Sequence, residues 1–231
     1  MAQRTIQSKI GIRPDPDPES DFDTLPPTRE APEFRTVRRA VRPIDFETYI
    51  RLNDNNDMEL EQGVMVRKMA AQWEHERLLA WIFWILFGYA RQKELGVVVG
   101  SRTAVRIDKY RGRLPDLLFV RRENTAIIKQ KGIYGAPDMA LELVSPNDRP
   151  SDTIGLETDY RLIGVPEIVF VDQQKRTVRV LRKRADDYSE IVLTSGPLSL
   201  ETVPGFTLQV ENLFTNPLPD EFAILNDLLN A

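Results

Sequence analysis

Two rhythms of apolar and polar positions run through the chain, one with the period of a helix and one with the alternating or continuous character of strands. Asp45–Asn53 has the helical rhythm, with Asp45 placed as N-cap and Tyr49 and Leu52 pointing inward. Met58–Val66 reads as a strand pair bending at Gln62-Gly63. Gln72–Lys93 is the longest predicted helix. Its middle, Leu78 to Phe87, is apolar nearly all round, so it should be buried on more than one side. Gly96–Ile107 predicts two β segments around Gly100-Ser101, and Leu114–Val120 predicts a strand. Arg121–Tyr134 is a polar connection leading to a further strand at Met139–Val144, which Ser145-Pro146-Asn147-Asp148 ends. Asp152–Ile163 predicts a helix closed by Gly164, with Pro166 just beyond. Ile168–Asp172 is a continuous apolar run, the mark of a strand covered on both faces. Thr177–Arg182 and Ser189–Leu193 form a hairpin through Ala185-Asp186-Asp187. Leu208–Val210 adds a short strand and Pro219–Asn230 a last amphipathic helix.

That order predicts an α/β (α+β) fold: a mixed β-sheet core flanked by helices, with an added C-terminal β-hairpin. Residues 44–231 form one domain of ordinary size. Residues 1–43, rich in proline, arginine and aspartate, have almost nothing with which to build a core and are expected to be a disordered tail.

Two acids break the apolar pattern. Asp116 and Glu142 each sit within a strand-like run, where a carboxylate is costly unless something pairs with it. Structural ion pairs are the commoner reason for such acids. If the two strands are neighbours, both carboxylates can also converge and bind a divalent cation, which would lower a water's pKa and shield a phosphate's charge.

Composition narrows the chemistry. With no cysteine there is no disulfide, thiolate nucleophile or cysteine metal site, and the single histidine, His75, argues against a multi-histidine zinc site. A metal would be held mainly by carboxylates, which suits magnesium or manganese. On an apolar helix His75 itself reads more simply as a packed or capping residue than as a ligand. The net charge of −4 does not advertise nucleic-acid binding, although Lys175-Arg176, Arg179 and Arg182-Lys183-Arg184 make a local basic stretch. Met1–Ile12 lacks the apolar core of a signal peptide, and no apolar run approaches the roughly 20 residues that span a bilayer, so a cytoplasmic protein is expected. The tryptophans and phenylalanines of the long helix also make a homodimer through Gln72–Lys93 conceivable, although a core helix is the simpler reading.

The motifs carry a resemblance. Pro115-Asp116, then Glu142-Leu143-Val144-Ser145-Pro146, Tyr160 ahead of Gly164-Val165-Pro166-Glu167, and Val171-Asp172 are similar to the restriction endonucleases of the Uma-two family, part of the PD-(D/E)XK nuclease superfamily. Met58-Glu59-Leu60-Glu61-Gln62-Gly63, His75, Val203-Pro204-Gly205-Phe206 and Leu213-Phe214 extend the resemblance over roughly residues 44–215. It implies a restriction-endonuclease-like core in which Asp116 and Glu142 are catalytic and, with Glu59, hold Mg2+ or Mn2+ for hydrolysis of DNA phosphodiester bonds. Glu59 can equally be a solvated acid beside a turn, since Asp57 and Glu61 make its whole segment acidic.

One feature departs from the pattern. An E-x-K arrangement puts lysine at position 144, which is Val144; the family's helical D-x-x-x-K-x-x-x-Y spacing puts it between Asp152 and Tyr160, where Leu156 stands. Losing one such stabiliser of a transition state costs about 10²–10³ in rate. Lys129, Lys131, Arg149 and Arg161 are conceivable substitutes, though no spacing obliges them to reach the acids. Three functions are therefore expected to compete: a magnesium-dependent endonuclease, a catalytically impaired nuclease fold that binds DNA or a protein, and a dimeric interaction module built on the aromatic helix.

Overall fold

The computed structural model describes residues 42–53, 57–68, 72–145 and 148–231. The tail expected at 1–43, the turn at 53–57 and the strand end at 146–147 fall wholly or largely outside that set.

The elements follow in chain order. They begin with α1 (Phe46–Leu52), β1 (Met58–Glu61), β2 (Val64–Arg67) and the long α2 (Trp73–Gln92). Then come β3 (Gly96–Gly100), β4 (Val105–Arg106), β5 (Gly112–Arg113), β6 (Leu117–Arg121), β7 (Ile128–Lys129), β8 (Gly132–Ile133) and β9 (Met139–Val144). The last are α3 (Pro150–Ile163), β10 (Glu167–Asp172), β11 (Thr177–Arg184), β12 (Asp187–Leu193), β13 (Pro197–Ser199), β14 (Thr207–Gln209) and α4 (Glu221–Asn230).

The central sheet has the order β12-β11-β10-β9-β6-β3. Only β9 and β10 run parallel in it, and α3 makes the crossover between them. A second sheet of short strands has the order β2-β1-β5-β4-β8-β7. The polar connection at 121–134 thus contains a 3-10 turn and the small β7–β8 ladder, which its composition concealed. α3 starts at Pro150, before the expected Asp152, because proline is well suited to a first helical turn. It ends as expected at Gly164, which takes the left-handed conformation (φ 78°).

Strand alternation divides the core into two layers. Leu117, Phe119, Met139, Leu141, Leu143, Val169 and Val171 pack with the buried side of α2. Leu118, Val120, Ala140, Ile168 and Phe170 pack with Tyr160 and Leu156 of α3. Glu142 shares the parity of Ala140, so β9 aims its carboxylate at α3. A third cluster, of Phe46, Tyr49, Ile50, Leu60, Ala104 and Leu114, ties α1 and β1 to the chain just before Asp116. Leu52, expected inward, is 59% exposed, and Phe46 and Ile50 take that inward role instead.

α4 lies on α2. Phe222 packs on Trp84 with ring centroids 4.3 Å apart, the Trp81 indole N–H donates to Pro219 O at 2.8 Å, and Leu225 sits against Gly88. Part of the aromatic surface that made a homodimer conceivable is thereby covered within the chain. Among the described residues, no helix is long and apolar enough to cross a membrane.

Candidate active site

β6 and β9 pair antiparallel, with Leu117 opposite Leu141. Continuing that register by one step puts Asp116 opposite Glu142, at the bend that leads from Pro115 into β6. The two acids that interrupt separate apolar runs therefore meet. Both are buried, and each takes a backbone N–H from the other's strand. Leu143 N–H donates to Asp116 Oδ2 at 2.9 Å, and Asp116 N–H approaches Glu142 Oε2 at 3.4 Å.

Side chains from three other elements take the two remaining oxygens and share Asp116 Oδ2. Tyr160 of α3 donates its hydroxyl to Glu142 Oε1 at 2.5 Å. His75, in the first turn of α2, places Nε2 3.2 Å from Asp116 Oδ2. Lys68, immediately after β2, places Nζ 3.3 Å from Asp116 Oδ1 and donates to Leu114 O at 2.7 Å.

This environment separates the two carboxyls. Burial, then the neighbouring Asp116 charge, pushes Glu142 up to about 8. Burial also acts upward on Asp116, but the hydrogen bond from His75 and the charge of Lys68 outweigh it and bring Asp116 down to about 2. Burial disfavours the charged forms of Lys68 and His75, yet both are held above their usual values. The charges of Glu142 and Asp116 do this for Lys68, and the Asp116 hydrogen bond does it for His75.

Glu59 belongs to the layer behind this pair. It accepts the Leu114 N–H at 2.9 Å and one guanidinium N–H of Arg113, also at 2.9 Å. Arg113 also bonds Glu61 and Asp159, both at 2.7 Å, and Arg111 bonds the other Asp159 oxygen. Glu59 is thus a buried, paired acid that orders the backbone leading to Asp116, and its charge adds to the field on Lys68 and Glu142. Among the described residues, no three His, Asp or Glu side chains are grouped so as to hold a metal ion. The two carboxylates that face one another are Asp116 and Glu142.

The positions expected to carry a cation do not. Val144 and Leu156 both pack into the apolar layer under α3. Arg149 is tied to Asp152, and Arg161 pairs with Glu157 and lies over the Tyr188 ring. Lys129 and Lys131 are exposed at the β7–β8 end of the second sheet. The cation at Asp116 is Lys68, which the sequence reading missed because nothing local links it to an acid 48 positions away. His75, expected as a packed or capping residue, instead bonds Asp116 across 41 positions.

Most of the basic stretch at 175–184 is tied down rather than a free cationic strip. Lys175 pairs with Asp172, Arg176 bonds Phe214 O, Arg179 pairs with Glu157 and Glu190, Arg182 with Glu167, and Arg184 with Glu201.

The family model Uma2, described as "Putative restriction endonuclease", matches residues 45–211. Among solved structures, the crystal structure of a "putative nuclease belonging to DUF820" from Anabaena variabilis superposes with a TM-score of 0.64 at 15% identity. That match covers 74% of this chain and 98% of the other, and it is a likeness of fold. A cryo-EM DrdV–DNA complex matches 68% of this chain and 12% of its own, with a TM-score of 0.32 and 11% identity. No curated protein matches the chain.

Proposed function

The chain belongs to the Uma2 family, described as "Putative restriction endonuclease", and from that premise we propose that it is a metal-dependent endonuclease of the PD-(D/E)XK type that hydrolyses DNA phosphodiester bonds. The observation that carries this reading is the meeting of Asp116 and Glu142 across the β6–β9 ladder.

The pair suits a hard divalent cation in two respects. Its donors are all carboxylate oxygens, the preferred ligands of magnesium and manganese. And burial together with the neighbouring Asp116 charge keeps Glu142 protonated up to about pH 8, a penalty that a bound cation would offset. Asp116 and Glu142 would hold Mg2+ or Mn2+, while Glu59, expected as a third metal-holding acid, has both oxygens engaged by Arg113 and Leu114 behind the pair. When bound, the ion supplies Lewis-acid stabilisation of the phosphate and a water of lowered pKa.

The rest of the work falls to the chain's own residues. Tyr160 and the Asp116 N–H fix the Glu142 carboxylate, while His75 and the Leu143 N–H fix Asp116. Such locking of donors before substrate arrives is what makes electrostatic stabilisation effective. In the hydrolysis one water is consumed. A new P–O bond forms as the bond to the leaving ester oxygen breaks, and that oxygen takes up a proton.

The non-cutting alternative drew its support from Val144 and Leu156. Both are packing residues here, and a cation reaches Asp116 by another route, which supports the cutting reading.

The test is cleavage of supercoiled plasmid in Mg2+ or Mn2+. The wild type is expected to nick or linearise it, Asp116→Ala and Glu142→Ala are expected to lose at least about 10²-fold in rate, and chelation is expected to stop the reaction. Intact plasmid with the wild type in both metals would defeat the reading.

A further inference from the structure

We propose that Lys68 is the catalytic cation of this site, delivered from the β1–β2 hairpin in place of the residues at 144 and 156. The inference rests on the endonuclease reading of Asp116 and Glu142 and assigns a role within it.

The position of the ammonium is built by the fold. Leu60 of β1 is fully buried and pairs with Gly112 of β5, the strand that runs on into Leu114 and Asp116. β2 pairs along the whole of β1, from Glu61 opposite Val64 to Met58 opposite Arg67. The Lys68 N–H then donates to Asp57 O at 2.9 Å, extending that ladder by one step. The backbone of Lys68 is therefore tied through β1 and β5 to the segment that carries Asp116. Its side chain is tied there as well, since Nζ bonds Leu114 O, two residues ahead of that acid.

The bonding pattern fits an active rather than a filling role. An ammonium has three N–H donors. Among the described residues, Leu114 O takes one and Asp116 Oδ1 a second, leaving one without a protein acceptor. The side chain is 39% exposed although its partner Asp116 is 9% exposed, so its stem reaches the surface while the ammonium sits beside the buried acids. A donor in that place can hold the attacking water or a phosphate oxygen and offset the charge that develops in the transition state. A lysine that only neutralised an acid would have no use for the third donor.

The test uses the full chain and three readouts: plasmid cleavage, Mn2+ binding by titration calorimetry, and thermal unfolding. Lys68→Met is expected to unfold cooperatively, to bind Mn2+ no more weakly than the wild type, and to cleave at least about 10²-fold more slowly. Retained metal binding with lost cleavage is what a merely structural counter-ion would not produce. Should Lys68→Met fail to fold, Lys68→Gln keeps a donor for Leu114 O without the charge, and the same separation of binding from cleavage is expected of it. Cleavage at the wild-type rate in the variant that folds overturns the proposal. So does a loss of Mn2+ affinity that parallels the loss of cleavage. A wild type that cuts nothing overturns the endonuclease reading itself, which is a different result from a wild type that cuts and a Lys68 variant that cuts equally well.

Discussion

At the residue scale the site is governed by two carboxyls pushed in opposite directions. Asp116 has a lysine, a histidine and a backbone N–H, whereas Glu142 has a tyrosine hydroxyl and a neighbouring negative charge. Glu142 is raised from 4.5 to about 8, so between those values the folded chain holds a proton that the unfolded chain releases. The stability contributed by this group is complete below about pH 4.5 and is lost as pH rises through about 8. The slope reaches at most about 1.4 kcal/mol per pH unit. Urea denaturation from pH 5 to 8 is expected to show metal-free wild type weakening with pH and Glu142→Gln weakening less. Saturating Mg2+ is expected to flatten the wild-type slope, because the cation takes the proton's place. Equal slopes for both proteins without metal would show that Glu142 is not the group involved.

At the element scale, α3 and the short-strand sheet are joined by charge. Asp159 of α3 meets Arg113 of β5, which also holds Glu59 and Glu61 of β1. Removing one member of a buried ion network leaves its partners uncompensated. Arg113→Met should strand Glu59 and Asp159 and cost about 3 kcal/mol in urea denaturation. A cost within about 0.5 kcal/mol, typical of plain surface changes, would show that Arg111 alone suffices for Asp159. The α2–α4 contact makes a different prediction. A chain ending at Asp220 uncovers Trp84 and the groove at Gly88, and an exposed apolar patch of that kind favours association. Light scattering is expected to give a higher mass for the shortened chain than for the full one. Equal masses would mean that α4 does not guard this surface.

Elements of strong periodicity were legible in the sequence for a clear reason. α2, β9, β10 and the β11–β12 hairpin carry their own apolar pattern, and Gly164 ends α3 where only a backbone free to turn left-handed sits easily. β7 and β8 are two residues each, too short for any periodicity to register. Leu52 carries an inward pattern and lies outward, because Phe46 and Ile50 already fill the third cluster.

At the scale of the whole molecule, the site forms where the short-strand sheet meets the central one. Lys68 and Glu59 come from the first, Asp116 and Glu142 from the inner β6–β9 pair of the second, and His75 and Tyr160 from the helices on its two faces. By itself the sequence determined the class of fold and singled out the two acids, because apolar periodicity and a carboxylate misplaced within it are local properties of the chain, and its ordered motifs carried the family. Only the tertiary structure decided what those acids touch. Asp116 meets Glu142 across 26 positions, Lys68 across 48, and Arg113 meets Glu59 across 54. Such contacts depend on strand order and register, and period alone assigns a face to a side chain without naming the partner on it. Lys68, which no local pattern marks, is in the folded chain the cation beside the buried aspartate.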